Sequence, residues 1–185
     1  LARDFDALYT THCVTPPHGR PTPEKRLQSW LTADAYRHER RMMAFDSAVG
    51  ESTKTIFVGD ELALPVGEKR RIVCDVLALR VKPNGECAPA VIELKAAREM
   101  TRLVEQVQSY AACIDGLRSE FERLYSTILG RDIAFDGPIE RWIVWPQAGR
   151  AADPREDALA EQGIRLVGYC EEGTSFALRA GRTLP

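Results

Sequence analysis

Closely spaced cysteines, clustered histidines, long apolar runs and a marked charge of either sign are all missing from this 185-residue sequence. Its five cysteines, Cys13, Cys74, Cys87, Cys113 and Cys170, are scattered and odd in number. That argues against a disulfide framework, a zinc knuckle and a catalytic Cys–His pair. Cys74, Cys113 and Cys170 lie in apolar stretches and are expected to act as small buried hydrophobes. The three histidines, His12, His18 and His38, are too few and too poorly placed for a His-based metal site. No apolar run reaches the roughly eighteen residues that span a bilayer, so no membrane contact is expected. The first residues lack the basic-then-apolar layout of a secretory signal, which implies a cytoplasmic location. With 25 basic and 27 acidic residues the net charge is −2, which excludes coating of nucleic acid by bulk electrostatics. An enzyme acting on nucleic acid stays open, because local basic clusters or a bound cation can offset phosphate charge.

What is present is ordinary globular material, 44% hydrophobic and 28% charged, of a length suited to one domain. Residues 1–21, with Pro16, Pro17, Gly19 and Pro21, read as an irregular arm before a single domain over 22–185. Thr22-Pro23 is a helix start, and Leu27, Trp30, Leu31 and Ala35 continue it towards residues 40–43 with one buried stripe. Strand-like segments follow at 55–58, 62–64, 72–81 and 90–95, with Gly59-Asp60 read as a turn between the first two. Helices are expected at 99–115 and 117–129, a strand at 142–145, a short helix at 153–162 and a closing hairpin at 164–169 and 175–179. The order implies a layered α/β domain with a mixed central sheet. Trp142 and Trp145 are expected in the core rather than as base-stacking platforms.

Two charged positions break the apolar pattern. Asp75 stands in the middle of Ile72-Val73-Cys74-Asp75-Val76-Leu77, and Glu93 in Val91-Ile92-Glu93-Leu94-Lys95. A carboxylate in an apolar strand needs a partner: an arginine, a helix N-terminus or a metal. Glu93 and Lys95, two apart, share a face. Asn84 stands midway between Asp75 and Glu93, and Asn84-Gly85 is a strong hairpin signal. A turn there sets the two acids opposite each other on one face, whereas a one-residue slip would separate them. The bland alternative is a structural ion pair between Asp75 and Lys95. On the following helix Arg102, Gln106 and Tyr110 recur at helical spacing beside the apolar stripe of Leu103, Val107 and Ile114. The basic clusters Arg37/Arg40/Arg41, Lys69/Arg70/Arg71 and Arg98/Arg102 read, one by one, as solvated faces.

Asp75, the Glu93-Leu94-Lys95 tripeptide and the Gln106/Tyr110 row together resemble the restriction-endonuclease-like, or PD-(D/E)xK, nuclease superfamily. The Gln-x-x-x-Tyr row is similar to the branch holding RecB-like and phage-exonuclease-like domains. The resemblance covers residues 22–115; Cys74 before Asp75, in place of proline, is its one departure. It implies a three-layer α-β-β-β-α-β core with a C-terminal extension. It also implies Mg²⁺ or Mn²⁺ held by Asp75 and Glu93, with the Leu94 carbonyl as a further donor. Glu24 would be a third acid, with Glu61 and Glu68 as substitutes. Lys95 would activate or orient a water, Gln106 would hold Lys95 or that water, and Tyr110, Arg102 and Arg98 would meet phosphate. The implied activity is phosphodiester hydrolysis, on DNA in preference to RNA, with a homodimer left open. Two rivals stand beside it. One is an inactive module of the same fold binding nucleic acid or protein; the other is an unrelated α/β interaction domain.

Overall fold

The computed structural model describes residues 21–66, 70–100, 102–147 and 153–180. Residues 1–20 of the arm expected over 1–21, together with Glu68 and Lys69, lie outside the described residues. Helix α1 (Pro23–Arg37) starts as the sequence dictates: Thr22 is extended, its hydroxyl accepts the Lys25 N–H, and Pro23 opens the first turn. The helix stops at Arg37, short of the expected end near residue 43. Glu39 and Arg40 both take left-handed backbone angles, φ 52° and 69°, and turn the chain into a separate short helix α2 (Met43–Val49).

Six strands follow in chain order across one sheet: β1 (Lys54–Val66), β2 (Arg70–Val81), β3 (Cys87–Leu94), β4 (Glu140–Pro146), β5 (Ile164–Glu172) and β6 (Ser175–Ala180). The β1–β2, β2–β3 and β5–β6 pairs are antiparallel; β3–β4 and β4–β5 are parallel. The sheet is thus mixed, as expected. Helices α3 (Leu103–Gly116) and α4 (Arg118–Leu129) cross from β3 to β4, and α5 (Pro154–Glu161) from β4 to β5. The run α1, β1, β2, β3, α3, β4 reproduces the α-β-β-β-α-β order, with α5, β5 and β6 added after it.

Gly59-Asp60 is not a turn between two strands. β1 runs straight through it with a bulge between Phe57 and Gly59, because an extra residue in one long strand is accommodated more simply than a reversal. The β2–β3 loop, by contrast, closes as Lys82-Pro83-Asn84-Gly85-Glu86, wider than a two-residue turn. The Gly85 N–H donates to the Lys82 carbonyl, Asn84 accepts the Glu86 N–H, and Gly85 takes φ 89°. Its centre is still Asn84, so the register is the expected one, with Val76 opposite Ile92 and Val81 opposite Cys87.

Helices cover both faces, giving three layers. On one face Leu27, Leu31 and Ala35 of α1 and Phe45 of α2 pack on Val76, Ala78, Ile92, Trp142 and Val144. On the other, Tyr110 and Ile114 of α3 and Phe121 and Tyr125 of α4 pack on Leu77, Leu79 and Val91. Trp142 and Trp145 are both core residues, 2% and 1% exposed. Cys74 and Cys87 are buried, whereas Cys113 and Cys170, also expected to be buried, are only half-buried. Among the described residues no helix is long and apolar enough to cross a membrane.

Candidate active centre

The site forms where two strands part. β2 and β3 pair from the Val81 end to Val76 opposite Ile92; β2 then continues with β1 alone, while β3 continues with β4. The Lys95 N–H donates to the Val144 carbonyl at 2.9 Å, so the chain after β3 follows β4 and leaves β2. A backbone that loses its neighbour leaves polar groups that must be satisfied otherwise. Here side chains take that place: the Asp75 carboxylate accepts the Leu94 N–H at 2.7 Å, and Gln106 Nε2 donates to the Val73 carbonyl at 3.1 Å.

β2 also changes faces at this point. Cys74 packs under α3 and α4 while Val76 packs under α1 and α2, although residues two apart on a regular strand share a face. Asp75 lies at the exchange, and on β1 the residue between the Asp60↔Val76 and Leu62↔Cys74 pairs is Glu61, at φ 51°. Asp75 is therefore half-buried at an opening rather than sealed in a core.

Glu93 is 2% exposed and its Oε1 accepts two donors, Lys95 Nζ at 2.6 Å and Gln106 Nε2 at 2.7 Å. Burial, then the nearby Asp75, push its carboxyl up to about 7 despite Lys95. Burial likewise raises Asp75, partly offset by the Leu94 N–H and Lys95, with Glu24 adding to the rise. Burial alone would lower Lys95, but its ion pair and hydrogen bond with Glu93, helped by Asp75 and Glu24, hold it above the ordinary range. Lys95 is thus a cation at neutral pH, and its partner is Glu93, not Asp75.

Glu24, in the first turn of α1, reaches across to accept the Ala96 N–H at 3.0 Å just past β3. One turn on, Gln28 is buried, and its Nε2 donates to the Asp75 carbonyl and to Asp60 Oδ2, each at 3.2 Å. Lys25 donates to Gln28 Oε1 at 3.1 Å and pairs with Glu61. Neither Gln28 nor Asp60 stood out in the sequence. The only signal was a polar residue one turn after Glu24, on the buried side of α1.

Of the expected residues, Asp75, Glu93, Lys95 and Gln106 come together, and Glu24 flanks them at the Ala96 N–H. Arg102 sits exposed at the N-cap of α3 in a left-handed conformation, φ 59°. Tyr110 does not reach the site: it is 1% exposed, and its hydroxyl donates to the Leu62 carbonyl at 2.8 Å. One helical turn from Gln106 carries it down into the apolar layer beneath the β1–β2 hairpin. Arg98 is also placed elsewhere. Its guanidinium stacks on Trp145 at 4.3 Å and pairs with Asp153 at 2.9 Å and Glu156 at 2.5 Å, tying the loop after β3 to α5. Of the Arg98/Arg102 cluster, only Arg102 is on the solvated face expected of both.

Among the described residues, no three His, Cys, Asp or Glu side chains converge as a ready metal cage. The two adjoining carboxyls still suit a hard cation, since Mg²⁺ keeps several waters and needs one or two carboxylates from the protein.

No family profile and no curated protein sequence matches the chain. Among solved structures it is similar to a chain in the structure of an EndoMS–dsDNA2 complex, at 15% identity and a TM-score of 0.42. The match covers 85% of this chain and 51% of that one, so this chain spans about half its length.

Proposed function

We propose that this chain is a divalent-cation-dependent nuclease, acting on DNA in preference to RNA, with Asp75, Glu93 and Lys95 at its centre. The observation that carries the reading is the surplus carboxyl. A structural ion pair with Lys95 needs one buried acid, and Glu93 supplies it. Asp75 beside it raises the cost of ionising both, a cost that the Leu94 N–H offsets only in part and that a bound cation would offset further. Asp75 and Glu93 are the residues that would hold Mg²⁺ or Mn²⁺, with Glu24 flanking them. Bound there, the ion would lower the pKa of a coordinated water and offset charge on the phosphate.

The remaining roles follow from the chain's own groups. Lys95 keeps its proton against Glu93, which favours an electrostatic role at the phosphate over that of a general base. Gln106 fixes the Glu93 carboxylate through the oxygen that Lys95 also contacts, so both act on one orientation of that acid. Arg102, exposed at the start of α3, is the residue suited to a neighbouring phosphate.

Mn²⁺ titration by calorimetry, with cleavage assays on single-stranded, duplex and branched DNA, tests the reading. Wild type should bind the ion and cut at least one substrate, and Asp75→Ala should do neither. The second reading is an inactive nuclease-fold module that binds nucleic acid or a protein partner, in which Glu93 and Lys95 serve only as a buried ion pair. DNA binding without cleavage in any divalent cation would establish that module and remove the nuclease.

A further inference from the structure

We propose that Gln28 is a positioning residue whose carboxamide, reaching from α1 to both β1 and β2, sets where the Asp75 carboxylate stands at the parting of β2 and β3. The inference rests on the nuclease reading for its functional consequence and on hydrogen bonds alone for its geometry.

The two hydrogens of one amide group are divided between two strands, one going to the Asp75 carbonyl and the other to Asp60 Oδ2, across from Val76. These are the positions flanking the face exchange in β2. Glu24, one turn earlier on the same helix, holds the opposite arm through the Ala96 N–H. Residues four apart on a helix lie side by side, so α1 spans the opening like a bracket with one hold on each arm. From the other layer, Gln106 holds the Val73 carbonyl, two residues from Asp75. The kink carrying Asp75 is thus pinned from both helical layers. An apolar side chain at residue 28 would leave the Asp75 carbonyl and Asp60 without that donor, and β2 would be free to move against β3. Asp75 would shift relative to Glu93, and the Leu94 N–H bonded to it would open.

The test compares wild type with Gln28→Leu and Gln28→Met, neither of which donates. In metal-free protein, the Leu94 amide should exchange with solvent about tenfold faster in either variant, the worth of one hydrogen bond, while the Ala90 amide, which faces β2 as Leu94 does but lies inside the β2–β3 ladder opposite Ala78, is unchanged. In calorimetry, Mn²⁺ affinity should fall by about 10–100-fold, the usual effect of losing a group that orients a ligand. A lowered Tm with unchanged Leu94 exchange and unchanged Mn²⁺ affinity would overturn the proposal and leave Gln28 a packing residue. If Gln28→Leu does not fold, Gln28→Met decides on the same criteria. Faster Leu94 exchange in a protein whose wild type binds no Mn²⁺ would support the bracket and overturn the nuclease reading alone.

Discussion

Glu93→Gln tests the electrostatics of the site without needing metal or substrate. The side chain keeps its shape, and its amide oxygen can still accept from Lys95 and Gln106, but it can no longer ionise. In the wild type, a carboxyl that ordinarily titrates at 4.5 is held at about 7 by burial and by Asp75. The folded chain therefore binds this proton more tightly than the unfolded chain. The stability that proton gives is fully present below pH 4.5, is lost as the pH rises to about 7, and does not change further above that. Ionising the group in the folded state costs about 3 kcal/mol, at about 1.4 kcal/mol for each pH unit between those values. For a chain of this size that equals a fall in Tm of about 6–12 °C. The assay is urea unfolding of both proteins from pH 4 to pH 8 with chelator present. Wild type should lose stability relative to Glu93→Gln over this range by about that amount, and subtraction removes the titration of groups remote from residue 93. Asp75, also raised, adds a loss of the same sign that begins at lower pH. Parallel stability curves would show that Glu93 ionises freely in the fold and would refute the reasoning.

Three further outcomes are expected. Tyr110→Phe should cost about 1 kcal/mol in urea unfolding, because the part-buried Leu62 carbonyl loses its donor, and should leave Mn²⁺ affinity unchanged; loss of affinity would return Tyr110 to the site. Arg80→Leu should destabilise by about 3–5 kcal/mol, since Arg80 is 1% exposed and holds Glu51 at 2.6 Å, Glu140 at 3.2 Å and Thr55 at 2.6 Å. Thermal denaturation showing no loss would mean those acids are satisfied by water. Thr22→Ala should cost about 1 kcal/mol by the same measurement through loss of the α1 cap, and an unchanged Tm would show that Pro23 alone starts the helix.

The parts of the molecule legible in the sequence are those governed by near neighbours. Thr22-Pro23 starts α1 because cap and first turn are local, and Asn84 centres the β2–β3 loop because register follows from where the chain reverses. What was not legible depends on the third dimension. Gly59-Asp60 resembles a turn but is absorbed as a bulge, since only pairing with β2 shows that β1 continues. Helix α1 ends without glycine or proline, at left-handed residues held by backbone bonds: the Arg40 N–H donates to the Ala35 carbonyl, and the Arg40 carbonyl accepts the Phe57 N–H from β1. Tyr110 shares a helical row with Gln106, yet the row leaves the opening as it descends, and spacing alone gives no depth. Gln28 looked like helix filler because its acceptors lie 32 and 47 residues away on two strands. Arg98 pairs with acids more than fifty residues on, beyond any pattern of local charge.

Strands laid across the sheet in chain order have a consequence for how the molecule assembles. The β1–β2–β3 meander and the β5–β6 hairpin close through short loops, whereas β3 meets β4 only after a long excursion through α3 and α4. Closure over a longer loop carries a larger entropy cost and slows the step that depends on it. That late step is also the one that draws Lys95 onto Val144, so the acids should gather early and their lysine should arrive last. In refolding experiments, Mn²⁺ affinity should then appear before Trp145 on β4 is buried. Affinity that appears only as Trp145 is buried would show that the acids are not set until β4 docks.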